Sequence, residues 1–322
     1  MLKNLITSMK PSPKSKSPVL SVIILDYNAL TYLQKLFESI CRSVLTSQIE
    51  VILVDNASAD NSLEIIKKTG YSHPKINFKY LQNGGNIGFA AGNNRAVEIS
   101  DPNSKYVLFL NPDTSVEPNT FQGMVDYLDK HPKIDTATCH VTLTLTGELQ
   151  PECHRGFPTP WNTFCHFFLP FMSRLFPKVA LFNGYLLGHQ DYSKVQPIDC
   201  CVGAFYMLRR NIGQEVGWWN EKYFMYGEDL DFCYKVKKAG YNLFFIPFYK
   251  INHYQGISSG IKKSKSSASR ETKVRSAKAT TNAMRIFYQE NLLSDYPVFM
   301  HPIINLGISF LEFYRVFKAR YL

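Results

Sequence analysis

A chain of 322 residues with 45% hydrophobic and 19% charged residues is neither disordered nor fibrous, and it can bury one large α/β domain with an appendage. The formal charge of +10 calls for an anionic partner, either phosphate or an acidic membrane face, and the absence of Lys/Arg runs interleaved with base-stacking aromatics argues against nucleic acid. Seven cysteines without a CxxC pair fit reduced thiols in the cytoplasm rather than a disulfide framework.

Residues 1–17 are rich in Lys, Ser and Pro and lack a long apolar run, so a disordered leader is expected, not a signal peptide. Val19 to Leu25 is a continuous β-branched run, as in a strand covered on both faces of a parallel sheet. It ends at Asp26-Tyr27-Asn28, the kind of edge where open α/β sheets take ligands. Helical spacing follows from Leu30 to Leu45, then a second buried strand, Glu50 to Val54, ending at Asp55. A second helix runs through Ile65 and Ile66, and Ile76 to Leu81 is a third strand. Two βα units and a further strand, each ending in a polar turn, predict a doubly wound sheet with a nucleotide at its edge.

The stretch Asn83 to Arg95 is rich in glycine and asparagine, which lets backbone approach a ligand closely. Its spacing is not GxGxxG, and no GxxxxGK[ST] occurs, which counts against a dinucleotide oxidoreductase and a P-loop enzyme. Tyr106 to Leu110 is a fourth strand and ends at Asn111-Pro112-Asp113. A carboxylate there could hold a divalent cation bridging a diphosphate, or the three residues could form a plain turn. Farther on, Tyr223 to Tyr241 carries an aromatic run into Glu228, Asp229 and Asp231 at a helix start, with Gly240 as its stop. Asn242 to Pro247 reads as another strand, followed by His253.

These pieces, in this order, resemble the family 2 glycosyltransferases with the GT-A fold, especially their bacterial rhamnosyltransferase-like branch. The resemblance spans residues 18 to 256 and rests on Tyr27-Asn28, Val54 to Asp60, Asn83 to Asn94, Leu110 to Asp113, Gly203 to Arg210, Gly227 to Asp231 and His253. It implies a doubly wound mixed, mostly parallel sheet with helices on both faces, plus a C-terminal helical extension. It also implies an inverting hexosyltransferase that moves a sugar, with L-rhamnose as one candidate, from a dTDP- or UDP-linked donor to a glycan or lipid-linked acceptor in cell-surface polysaccharide synthesis. By the same resemblance Asp229 is the catalytic base. Tyr27, Asn28, Asp55, Asn83, Asn86, Gly88, Arg95 and Asn111 line the donor pocket. Asp113 and His253 hold Mg²⁺ or Mn²⁺, although Asn111 stands where the family's motif has its first Asp. Glu228, Asp231, Gly203, Ala204, Trp218 and Trp219 are assigned to the acceptor side. Competing readings are a catalytically silent nucleotide-sugar-binding scaffold subunit and a nucleotidyltransferase. The latter would need a Gly- and Lys/Arg-rich loop after the first strand, where Asp26-Tyr27-Asn28 stands.

The expected organisation is a leader over residues 1–17 and a glycosyltransferase domain over 18–255, its donor half near 18–115 and its acceptor half near 116–255. Residues 256–322 follow as a basic linker or lid and an aromatic, amphipathic tail. His154, Arg155 and Trp161 are candidate acceptor contacts, and Arg209-Arg210 reads as surface charge. Interrupted aromatic segments at 161–182 and 296–322 are too broken to span a bilayer but suit a membrane interface. The chain is therefore expected in the cytoplasm, with peripheral contact at the inner membrane face.

Overall fold

The computed structural model describes residues 17–254 and 270–321. Four βα-type strands build the first half: β1 (Leu20–Asp26), β2 (Ile49–Asp55), β3 (Ile76–Gln82) and β4 (Tyr106–Leu110). Every residue of β1, β2 and β4 is buried, as their unbroken apolar runs require. Their crossover helices are α1 (Leu30–Cys41), α2 (Ser62–Thr69) and α3 (Phe89–Ile99). Helix α1 stops short of the expected Leu45. Val44 N donates to Pro118 O, and Thr46 N and Ser47 N donate to Gln122 Oε1, so tertiary bonds draw the chain off the helical path.

The second half adds β5 (Thr114–Val116), α4 (Thr120–Lys130), β6 (Thr136–Leu143), α5 (Pro160–Phe168), α6 (Pro170–Leu175) and α7 (Ala180–Asn183). Then come β7 (Gln196–Ile198), β8 (Phe205–Arg209), α8 (Arg210–Val216), α9 (Glu228–Lys238) and β9 (Leu243–His253). All join one nine-stranded sheet of order β3-β2-β1-β4-β8-β6-β9-β5, with β7 also on β9. From the pairings, β1, β2, β3, β4, β6 and β9 run one way and β5, β7 and β8 the other, so the sheet is mixed and mostly parallel. Helices α1, α2 and α4 cover one face, and α3, α8 and α9 cover the other.

Residues 270–278, expected as part of a basic linker, instead open the helix α10 (Arg270–Phe287), which runs into a π-helical turn at Tyr288–Leu292 and then α11 (Met300–Tyr321). The leader over 1–16 and the lid or linker stretch 256–269 lie outside the described residues. The C-terminal helices dock on α9 through polar contacts: Asn291 Nδ2 donates to Asp231 Oδ1 (2.9 Å) and Tyr234 Oη to Asn291 O (2.9 Å). Arg209 and Arg210 are not loose surface charge. Arg210 is buried and donates to Ser21, Ser100 and Ser104, while Arg209 donates to the carbonyls of Leu128 and Ile134.

Candidate active site

The polar ends of β1 and β2 lie side by side, because Asp26 and Asp55 are register partners. Ser58 Oγ donates to Asp55 Oδ1 (2.5 Å) and also lies 3.3 Å from Asp26 Oδ2, tying the two carboxylates through one hydroxyl. Burial pushes Asp26 up to about 6, partly offset by the Ser62 hydroxyl. Tyr27 is exposed beside this pair, and Asn28 takes a left-handed φ of 55° with its Oδ1 accepting from Ala59 N at 2.7 Å. The donor-side loop is knitted by asparagines. Asn83 Nδ2 donates to Asn56 Oδ1 (2.8 Å), Asn56 Nδ2 donates to Gly88 O (3.0 Å), and Gly88 N donates to Asn86 Oδ1 (3.1 Å).

Gly88 sits at φ 90°, and a Cβ there would lie 2.7 Å from Phe224 O, so no side chain fits. Phe89 N donates to that same carbonyl at 2.8 Å. The glycine-rich loop therefore packs directly on the aromatic run that leads into Glu228, a link between two motifs far apart in the sequence. Arg95 does not join them. It is exposed about 1.7 turns beyond the start of α3 and makes no hydrogen bond among the described residues.

Asn111-Pro112-Asp113 leaves the end of β4 next to the start of β8, where Asn111 N donates to Ala204 O. Asp113 lies between β4 and β5, and Thr114 is the register partner of His253 at the end of β9. This pairing brings His253 Nε2 to 3.1 Å from Asp113 Oδ1, with both residues only 4% exposed. His253 Nδ1 lies 2.7 Å from Gln150 Oε1, so the ring is held between Gln150 and Asp113. An imidazole nitrogen and a carboxylate oxygen this close together are donor types that suit a divalent cation. Among the described residues no cluster of three or more His, Cys, Asp or Glu could hold a metal. A cation held there would thus find two donors, Asp113 and His253, among the described residues.

Gly227 (φ 87°), preceded by Tyr226 (φ 70°), turns the aromatic run into the first turn of α9, and both residues are in the left-handed region. Tyr226 Oη is 3.1 Å from Ser276 Oγ, and a Cβ on Gly227 would meet Ala283 Cβ at 2.8 Å, so α10 closes over the turn. The three carboxylates beyond it have separate environments. Asp231 is buried between Lys235 Nζ (3.1 Å) and Asn291 Nδ2, so it anchors the C-terminal helices rather than facing an acceptor. Glu228 is buried, and burial together with the Asp229 charge pushes its carboxyl up to about 8. Asp229 is raised by burial and pulled back by Arg155, whose Nη2 is 3.5 Å from Asp229 Oδ2; Leu230 N also donates to Asp229 Oδ1 at 2.8 Å. Burial thus raises both neighbouring acids, and of the two only Asp229 has an arginine beside it among the described residues.

Several expected acceptor contacts prove to be packing. Trp219 is 2% exposed and wedged against Phe109, Phe232 and Phe89, offering no face to a sugar. Trp218 is half-buried against Gly213 and Phe109. The room beside Gly203 is taken by the Phe89 ring, 3.0 Å from where a Cβ would be, and Ala204 is fully buried. His154 is buried against Tyr192 and Phe245, and burial lowers it to about 4. Arg155 and Gln150 gain roles that no local pattern signals, since their partners are 74 and 103 residues away, respectively.

Models of known families match most of this architecture. The Glycosyl transferase family 2 model matches residues 21–176, and that of Glycosyl transferase family group 2 matches residues 106–271, half of the chain. The chain belongs to the family 2 glycosyltransferases. Among curated relatives, the low-salt glycan biosynthesis hexosyltransferase Agl10 of Haloferax volcanii is 27% identical over 70% of this chain, which spans 63% of that protein. Rhamnosyltransferase WbbL of Escherichia coli is 24% identical over 72% of this chain and 82% of its own length. The N-acetylglucosaminyl-diphospho-decaprenol L-rhamnosyltransferase of Mycobacterium tuberculosis is 25% identical over 75% and 78%. In fold, this glycosyltransferase resembles the mannosyltransferase PcManGT of Pyrobaculum calidifontis, solved with GDP-Man and Mn²⁺. That match has a TM-score of 0.54 and 15% identity, covering 95% of this chain and 74% of the other. GalNAc-T7, solved with UDP, GalNAc and Mn²⁺, gives 0.55 and 16% over 85% and 50%.

Proposed function

We propose that this glycosyltransferase transfers a hexose, L-rhamnose in our reading, from a dTDP- or UDP-linked donor to a glycan or lipid-linked acceptor, inverting the anomeric carbon. The observation carrying the reading is Arg155 Nη2 lying 3.5 Å from the Asp229 carboxylate in the first turn of α9. Asp229 accepts the acceptor hydroxyl's proton as that oxygen attacks the anomeric carbon and the bond to the diphosphate oxygen breaks. A positioned general base contributes about 10²–10⁴-fold. Arg155 keeps the base ionised, and the Leu230 N–H orients it.

Asp55, Tyr27, Asn28, Asn83, Asn86, Gly88 and Asn111 form the donor side of this reading. Asp113 and His253 would hold Mg²⁺ or Mn²⁺, which supplies Lewis-acid offset of charge on the departing diphosphate. The Mn²⁺ named with two fold neighbours supports a divalent ion. Two relatives named as rhamnosyltransferases, one acting on a decaprenyl diphosphate-linked sugar, support the sugar and a lipid-linked acceptor. Residues 18–115 would then be the donor half and 116–255 the acceptor half, in a chain that sits peripherally on the cytoplasmic membrane face. Asp229→Asn tests the reading: transfer to acceptor falls at least a hundredfold while donor affinity, read by thermal shift, stays near wild type. A variant that keeps most of its turnover removes Asp229 as the base.

A further inference from the structure

The exposed apolar surface is not scattered. On α11, Ile303, Leu306, Phe310, Phe313, Phe317 and Tyr321 are all exposed, with Leu306 at 72% and Phe313 at 69%. At 3.6 residues per turn these six fall within about 80° of helix circumference. The opposite side, with Ile308 and Leu311, is already buried. A second exposed group comes from α5–α7 and their links: Trp161, Phe164, Phe168, Phe171, Leu175 and Phe176. The two groups meet where the Phe168 and Phe310 rings lie 6.3 Å apart, and Arg315 of α11 stacks over Phe167 of α5 at 5.1 Å. Ring contacts carry the surface onward through Phe164–Phe168 (5.6 Å) on one side and Phe317–Tyr321 (5.0 Å) on the other.

Charge selects what covers this face. Residues 153–190 contain no Asp or Glu, and residues 296–321 contain only Glu312, which is paired with Arg285 at 2.6 Å. Lys318 and Arg320 are exposed and flank the aromatic stripe on its two sides, while Arg174 and Lys178 are exposed beside Phe171 and Leu175. A second copy of the chain would bring cations against cations. Aromatic rings bordered by Lys and Arg, with no acid among them, instead match a bilayer interface with anionic headgroups. Among the described residues no helix is long and apolar enough to cross a membrane, so the face lies on the lipid rather than through it.

We propose that α11 and the α5–α7 segment together form one flat docking face for an anionic bilayer surface. Segment α5–α7 begins five residues after Arg155, so the docked face adjoins the side of the site that carries the Arg155–Asp229 pair. This deepens the peripheral location given above, and its test is independent of the transfer chemistry. Sedimentation of the full chain with vesicles, without donor, reads it. Binding is expected to mixed phosphatidylcholine/phosphatidylglycerol vesicles and to be much weaker to phosphatidylcholine alone. Lys318→Ala and Arg320→Ala each weaken it about fivefold, and Leu306→Glu with Phe313→Glu weakens it more than tenfold. Thermal melting checks that the variants fold, and their transfer to a water-soluble acceptor glycan stays at the wild-type rate, which separates this proposal from the base assignment. Wild-type-like vesicle binding by both the charge and the Leu306/Phe313 variants overturns the proposal. So does failure of the wild type to bind mixed vesicles, or a solution dimer that Phe313→Glu dissociates.

Discussion

Replacing Arg155 with methionine removes the guanidinium 3.5 Å from Asp229 Oδ2 while keeping similar bulk. At an effective dielectric constant of ~20, two unit charges at that separation attract by about 5 kcal/mol. Residual water and the α9 N-terminus share the task of holding the charge, and a carboxylate beside an arginine is typically lowered by roughly one to three pH units. Burial already raises Asp229, and Arg155 opposes that rise. Without the guanidinium the carboxyl therefore moves up, and less of it is ionised at neutral pH. The acid limb of the pH–rate profile for transfer should shift upward by roughly one to three units, with activity recovered at alkaline pH. Arg155→Lys should keep the limb close to its wild-type place. The assay is kcat/KM against pH with a fixed donor. An unmoved acid limb accompanied by a rise in donor KM would refute the reasoning and assign Arg155 to binding instead.

Glu228, raised from 4.5 to about 8 by burial and by Asp229, makes folding lose stability as pH rises. The unfolded chain ionises first, so the loss spans pH 4.5 to about 8. Glu228→Gln should flatten denaturant-derived stability across that window and exceed wild type by a few kcal/mol near its top. Asp113→Ala or His253→Ala should reduce Mn²⁺-dependent thermal stabilisation by nucleoside diphosphates about 10- to 100-fold in apparent affinity. Excess chelator should abolish that stabilisation in the wild type, and unchanged behaviour in chelator removes the cation from these two residues. Gly227→Ala forces a side chain into φ 87° and to within 2.8 Å of Ala283. It should cost about 1–3 kcal/mol and increase amide exchange along α10; an unchanged melting temperature would contradict the close docking.

Much of the fold was legible in the residues themselves. Continuous β-branched runs marked β1, β2 and β4 because a strand covered on both faces has no polar side to display. The polar residues closing each run, Asp26, Asp55 and Asn111 to Asp113, marked the sheet edge, and the α9 boundaries were readable from capping chemistry. The order of those motifs was enough to indicate the family. Side-chain type alone misled where burial decided. Trp218 and Trp219 suited sugar stacking by chemistry, yet Trp219 fills the core between α9 and the sheet. The basic stretch after residue 270 looked solvated because its charges are local, whereas the contacts that make it a helix clamp, Ser276 with Tyr226 and Ala283 with Gly227, are not.

The sequence by itself determined that β1, β2 and β4 are buried, where those three end, and which carboxylates stand at a helix start, because hydrophobic period and capping act within a few residues. Only the tertiary structure decided what surrounds Glu228, Asp229 and Asp231. Those surroundings depend on Arg155 reaching Asp229 across the β6–α5 connection, on Asn291 taking Asp231, and on no cation pairing with Glu228 among the described residues. The same holds for His253, poised by Gln150 against Asp113 through the β5–β9 register. Charge state in a buried site is set by partners that topology delivers from distant segments, and no local pattern encodes them.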